Sequence, residues 1–225
     1  MIAFEVNAMK VNIMQLQFLQ NLPAGSTLIC RNVSWDEYEN LLIEVGDDSN
    51  ARISYDNGKL EIMSPSKKHE LYKGLISRLV DVLTEELNLE YVSFGAMTWR
   101  RQKKAKGTEA DECFYIQNFL RVADKDEINL EIDPPPDLVI EVDIYHDSTS
   151  KFSIYAALGV SEIWQHDGSE IHFYHLIANE YQEVSHSVCF PFLSAQVVTQ
   201  FLTPVAGKGT NAIKRDFRAW VQANK

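Results

Sequence analysis

Three carboxylates stand on one face of the segment Asp137-Leu138-Val139-Ile140-Glu141-Val142-Asp143, which follows a run of three prolines. The segment reads as a β-strand, and successive strand side chains point to opposite faces. Leu138, Ile140 and Val142 therefore form an apolar face, while Asp137, Val139, Glu141 and Asp143 share the other. Burying carboxylates without compensation is costly, so this strand either edges a polar cleft or helps to hold a metal ion. Asp111 lies just after a loop on a second strand, thirty residues before Glu141. Neighbouring strands run about 4.8 Å apart, so if these two pair, Asp111 and Glu141 can share a divalent cation. Hard oxygen ligands of this kind suit Mg2+ or Mn2+. The alternative is a solvated Asp111 and a Glu141 paired with a lysine or arginine.

Glu70 lies near the start of a long amphipathic helix, off its apolar stripe and beside His69. By itself it reads as a solvated glutamate favoured by the positive helix terminus, and His69 as a cap or surface residue more readily than a ligand. Lys151 falls in the first turn of the helix that follows the carboxylate strand. From there it could reach the strand's C-terminal end, where ligands collect in open α/β sheets. Near a phosphate it could position a water or offset developing negative charge; alone, it is an ordinary surface lysine. Arg100 to Lys106 carries five cations in seven residues. That stretch could grip a nucleic-acid backbone or form a charged hairpin tip. Trp99 beside it could stack on a base or simply pack.

The elements that must position these residues follow from local signals. Ser34-Trp35-Asp36-Glu37 has capping-box spacing and predicts a short helix to about Ile43. Ala51–Tyr55 and Lys59–Met63 flank Asp56-Asn57-Gly58, a type I′ hairpin signal. Ser64-Pro65 offers an N-cap and first-turn proline for a helix over about Ser66–Leu87, with Leu71, Leu75, Leu79, Val82 and Leu83 as its core stripe. Strands are expected over Tyr91–Met97 and Glu109–Ile116, then a charged connection from Gln117 to Asp133. After the carboxylate strand, Asp147 or Ser148 can cap a helix over Thr149–Leu158 that Gly159 ends. Ser161–His166 and Ser169–Leu176 form a hairpin about Asp167-Gly168, with an edge strand over Tyr181–Val184 and a terminal helix over Asp216–Ala223. The strand–helix–strand unit from Asp137 to Gln165 predicts a parallel pair.

At 225 residues, with no repeats or linker, the chain is expected to be a single α/β domain over 1–225, with an N-terminal arm and a C-terminal helix. Its apolar runs fall short of a membrane span, and the N-terminus lacks a signal-peptide pattern. Cys30, Cys113 and Cys189 are far apart and read as reduced thiols of a cytoplasmic protein. The net charge of −11 argues against a protein that merely coats nucleic acid. It weighs less against a metal-dependent enzyme, whose clustered carboxylates are neutralised by cations.

Together these segments resemble the PD-(D/E)XK, restriction-endonuclease-like superfamily, and within it a large cyanobacterial group of endonuclease-like proteins. The resemblance runs from about Ser34 to Leu176. It rests on Met63-Ser64-Pro65-Ser66 with His69-Glu70, on Glu109-Ala110-Asp111-Glu112-Cys113-Phe114-Tyr115-Ile116, and on Pro136-Asp137-Leu138-Val139-Ile140-Glu141-Val142. It continues through Lys151, Tyr155 and Gly159-Val160-Ser161-Glu162-Ile163-Trp164. The fold it implies is a mixed β-sheet flanked by helices, with a hairpin extension. It implies that Glu70, Asp111 and Glu141 hold Mg2+ or Mn2+, and that the water so activated attacks a DNA phosphodiester in line. Two positions depart from the pattern. Ala110 stands where proline often precedes the first aspartate, and Asp143 occupies the lysine place of the strand motif. Some members draw that lysine from a neighbouring helix, which makes Lys151 the candidate. A homodimer is expected by analogy with nucleases that cut both strands. The alternatives are an inactive nuclease-like module that binds nucleic acid or protein, and a phosphodiesterase acting on a small molecule.

Overall fold

The computed structural model describes residues 22–46, 51–144, 148–203 and 207–225, together with the backbone of residues 3–7. The chain builds two six-stranded sheets. The first contains β1 (Ala3–Asn7), β2 (Thr27–Arg31), β3 (Arg52–Asp56), β4 (Lys59–Met63), β6 (Thr98–Arg101) and β7 (Lys106–Glu109), in the order β1-β2-β4-β3-β7-β6. The second contains β5 (Val92–Ser93), β8 (Glu112–Tyr115), β9 (Leu138–Val142), β10 (Glu162–His166), β11 (Ile171–Ile177) and β12 (Glu180–Val184), in the order β12-β11-β10-β9-β8-β5. Six helices of α type accompany them among the described residues: α1 (Trp35–Val45), α2 (Lys67–Leu87), α3 (Phe119–Val122), α4 (Thr149–Leu158), α5 (Ala195–Leu202) and α6 (Thr210–Asn224).

Local chemistry accounts for the boundaries. Ser34 and Glu37 form the reciprocal capping box expected of α1. Asn57 and Gly58 both take positive φ, 47° and 92°, as the tight β3–β4 hairpin requires. This hairpin proves larger than an extension, because it forms the centre of the first sheet. The cap of α2 is Ser66 and not Ser64, its side chain accepting from the His69 amide. Leu71 is 47% exposed and leaves the expected stripe, while Ile76 and Val80 are fully buried. The physical reason is a second neighbour: α2 packs on β9 and also against α5 and α6, so a wider arc is covered. Gly159 closes α4 with φ 88°.

Three expectations are corrected. Only Val92–Ser93 pairs within Tyr91–Met97. The strand over Glu109–Ile116 breaks at Ala110-Asp111, where the chain leaves the first sheet and enters the second. The terminal helix starts earlier, at Thr210, and α5 was not expected. Asp147 lies outside the described residues, so only Ser148 of the two candidate caps can be placed. It precedes α4 without capping it through its side chain.

The alternation along β9 sorts the second sheet into two cores. Leu138, Ile140 and Val142 join Trp164, Phe173 and the apolar residues of α2, α5 and α6. Val139 and Ile163 face the other way, with Ile154, Tyr155 and Leu158 of α4 and Tyr115 of β8. Glu141 shares that second face, so the helix above it must satisfy its charge. Strands β9 and β10 are parallel, as the crossover through α4 predicts. No helix among the described residues is long and apolar enough to cross a membrane.

Candidate active site

The site lies where the two sheets meet, and each of its carboxylates has a distinct set of partners. Glu112 pairs with Ile140 in the antiparallel β8–β9 ladder, so the next step of the register sets Asp111 opposite Glu141. Asp111 is fully buried. Its Oδ2 accepts from the Val142 amide and lies within hydrogen-bond distance of His69 Nε2, both at 2.8 Å. Its Oδ1 is buried and accepts no hydrogen bond, with Arg52 Nε 3.6 Å away. Burial would raise the Asp111 carboxyl, but the His69 hydrogen bond and the charges of His69 and Lys151 hold it below its ordinary value.

Glu141 is 1% exposed. Lys151 Nζ donates to its Oε2 at 2.9 Å, and the Tyr155 hydroxyl donates to Oε1. Lys151 and Tyr155 are one turn apart on α4, so a single helix face serves both oxygens. The helix-borne lysine thus does reach the strand. Burial, with Asp111 and Asp143 nearby, lifts the Glu141 carboxyl to about 7 against the pull of Lys151. Lys151 is itself buried, yet Glu141 and Asp111 raise its pKa. The two shifts thus have different main causes: burial for the Glu141 carboxyl, and the neighbouring carboxylates for the Lys151 ammonium.

Asp143 accepts from the amide and hydroxyl of Ser148 at 2.8 and 2.9 Å, and from Gln165 Nε2. It thereby fixes the start of α4 and makes no direct hydrogen bond to Lys151. Asp137 takes no part in the site; it closes the turn after β8 by accepting from the Ile116 and Asn118 amides. Glu70 is half-exposed, with Lys73 Nζ at 2.9 Å, His69 Nδ1 at 3.2 Å and Arg52 at 3.9 Å. Burial raises its pKa, but Lys73, His69 and Arg52 outweigh that and hold it below its ordinary value.

Two residues join the site that sequence reasoning passed over. His69, set aside as a cap or surface residue, is buried between Asp111 and Glu70. Burial opposes its charged form, but Asp111, Glu70 and Glu141 outweigh that and raise its pKa. Arg52 reaches in from the start of β3, and nothing in its sequence neighbourhood marked it as part of a site. A narrow cleft follows, with Arg52, Ser54 and Glu61 of the first sheet on one wall and Glu141, Asp143 and Lys151 on the other.

The predicted trio Glu70, Asp111 and Glu141 does not present three oxygens at one point. Among the described residues, ligand atoms of three such groups lie within 4.8 Å of one another only at Asp167, Glu170 and His172, on the β10–β11 turn. The donor chemistry nevertheless fits a hard divalent cation. Asp111 offers a buried oxygen without a hydrogen bond, with the Glu141 carboxylate on the neighbouring strand. Glu141 could join only by giving up a donor, since Lys151 and Tyr155 engage both its oxygens.

The basic stretch leaves Arg100, Lys103 and Lys104 exposed, but most of its cations are engaged by other groups of the chain. Arg101 donates to Leu130 and Ala157 carbonyls, while Arg100, Lys103 and Lys106 pair with Glu39, Glu131 and Asp56. Trp99 is 1% exposed and packs against Tyr115, so of its two sequence readings packing is the one observed.

Comparison with known proteins agrees with this frame. The family model described as Uma2, putative restriction endonuclease, matches residues 35–203, well over half of the chain. Among solved structures, the chain is similar to a putative nuclease belonging to DUF820 from Anabaena variabilis ATCC 29413. The two share 18% identity and a TM-score of 0.50, over 73% of this chain and 96% of that one, a likeness of fold. No curated protein matches.

Proposed function

We propose that this chain, which belongs to the Uma2 family of putative restriction endonucleases, hydrolyses DNA phosphodiester bonds with a divalent cation, Mg2+ or Mn2+. The observation that carries the reading is the buried Asp111–Glu141 pair with Lys151 closing on Glu141. Asp111 and Glu141 would hold the cation, with Glu70 reaching it from the helix. Once bound, such an ion polarises a phosphoryl oxygen and lowers the pKa of its water.

The chain's own residues supply the remainder. Lys151, a compact ammonium with rotatable donors, orients the attacking water and offsets charge as the phosphate becomes more negative. Tyr155 holds the other oxygen of the Glu141 carboxylate while Lys151 engages the first. The narrow cleft restricts bulk water, which strengthens each of these interactions.

Purified protein would be incubated with supercoiled plasmid and Mg2+ or Mn2+, beside Asp111→Ala and Glu141→Gln. Nicked or linear DNA from the wild type, absent with both variants, is expected. No cleavage with any divalent ion, but oligonucleotide binding that survives both substitutions, would instead make the protein an inactive nucleic-acid-binding module. The engagement of both Glu141 oxygens by internal donors is what favours that second reading.

A further inference from the structure

The buried acids of this fold divide by how completely their oxygens are used. Asp137 accepts on both: two amides reach Oδ2 and the Asn118 side chain reaches Oδ1. Glu162 does likewise, taking Trp164 Nε1 on Oε1 and the amides of Val188 and Cys189 on Oε2. Those are carboxylates that serve as ties through both oxygens. Asp111 differs. Its Oδ2 receives both the Val142 amide and His69, while its Oδ1 stays buried without a hydrogen bond.

His69 is built to hold that asymmetry. Its amide donates to the Ser66 hydroxyl at 3.1 Å, which fixes it in the first turn of α2, and its ring is 2% exposed. Nε2 meets Asp111 and Nδ1 meets Glu70, and ionised carboxylates only accept hydrogen bonds. The ring thus bridges the two acids through opposite edges, Nε2 to Asp111 at 2.8 Å and Nδ1 to Glu70 at 3.2 Å.

We propose that His69 is a positioning residue: by occupying Asp111 Oδ2 it turns Oδ1 toward the cation, and by its other edge it couples Glu70 to that carboxylate. The inference rests on the nuclease reading only in taking Asp111 as a cation ligand. Hydrogen-bond partners of metal ligands act in this way generally, and their loss weakens metal binding roughly 10–100-fold.

The test is Mn2+ affinity, read from the electron paramagnetic resonance of free Mn2+ with the full chain, beside plasmid cleavage and thermal unfolding. Asp111→Ala should abolish the site. His69→Ala should weaken Mn2+ binding about 10-fold or more, whereas His69→Gln, whose amide can replace the Nε2 donor, should recover most of the loss. His69→Leu fills the ring's volume without a donor and serves if the alanine variant does not fold. A folded His69→Ala or His69→Leu protein with wild-type Mn2+ affinity would overturn the proposal. So would failure of both to fold, because the bond would then be a structural tie. Wild-type protein that binds Mn2+ through Asp111 but cuts no DNA would sink the nuclease reading and leave the role of His69 standing.

Discussion

At the scale of single residues, the site is a set of acids distinguished by their donors. Lys151 and Glu141 form a buried pair, and breaking such a pair from one side typically costs about 3–5 kcal/mol because the other charge is stranded. Lys151→Met is therefore expected to lower the unfolding free energy by about that amount, and Lys151→Met with Glu141→Gln by clearly less. Urea titrations of the two variants check this; equal losses would mean that the pair is not coupled. In cleavage assays Lys151→Met should lose at least about 100-fold in rate, the scale seen when a charge-stabilising donor is removed. His166 is a separate case. Burial pushes its pKa down to about 4, so the folded protein keeps it neutral. An unfolded histidine titrates near 6.5, so its contribution is complete above that pH and is lost as pH falls toward 4. The difference in stability between wild type and His166→Gln, measured by urea unfolding at pH 7 and pH 5, should shrink at pH 5. A constant difference would show that His166 is not held neutral.

Among the elements, those with local chemical signals were legible from sequence and those fixed by distant partners were not. The Asn57-Gly58 turn, the Ser34–Glu37 box and the Gly159 terminus each announce themselves through backbone conformation or capping, which neighbours in sequence determine. Ser66→Ala should accordingly cost α2 about 1 kcal/mol, visible as a lower melting temperature. Gly159→Ala, at φ 88°, should cost about as much through strain. The break at Ala110-Asp111 had no such signal, because neither glycine nor proline punctuates it. Only the division into two sheets, with β7 ending in the first and β8 starting in the second, explains why the chain changes direction there. Leu71 misled for a related reason: periodicity marks an apolar stripe but not which neighbours cover it, and here α6 shifts the covered arc.

For the molecule as a whole, the sequence located the carboxylate strand and its helix-borne lysine but missed the inward cations. Asp111, Glu141 and Lys151 stand within one motif order, so their types and spacing carried the information. Arg52 and His69 enter through tertiary packing, which brings β3 and the start of α2 beside β8. The same packing explains why a net charge of −11 coexists with a proposed polyanionic substrate: the site's carboxylates are interleaved with cations, and much of the basic stretch is spent on internal partners. DNA binding should then fall only gently with added salt, since few phosphate contacts release few counterions; a steep salt slope would show that many cations grip the backbone. If both strands are cut at one place, two copies are needed, and light scattering should report a dimer in the presence of DNA.

The order of the strands has a consequence for how this protein can be taken apart. The chain builds most of the first sheet, crosses to β5, returns for β6 and β7, and crosses again at Ala110-Asp111. The two sheets that wall the cleft are thus interleaved along the sequence, like the fingers of two folded hands. No single cut separates them, so neither wall can be inherited, exchanged or expressed without part of the other. Limited proteolysis between α2 and β8 should yield fragments that stay together until denatured, because each carries strands that the other's sheet requires.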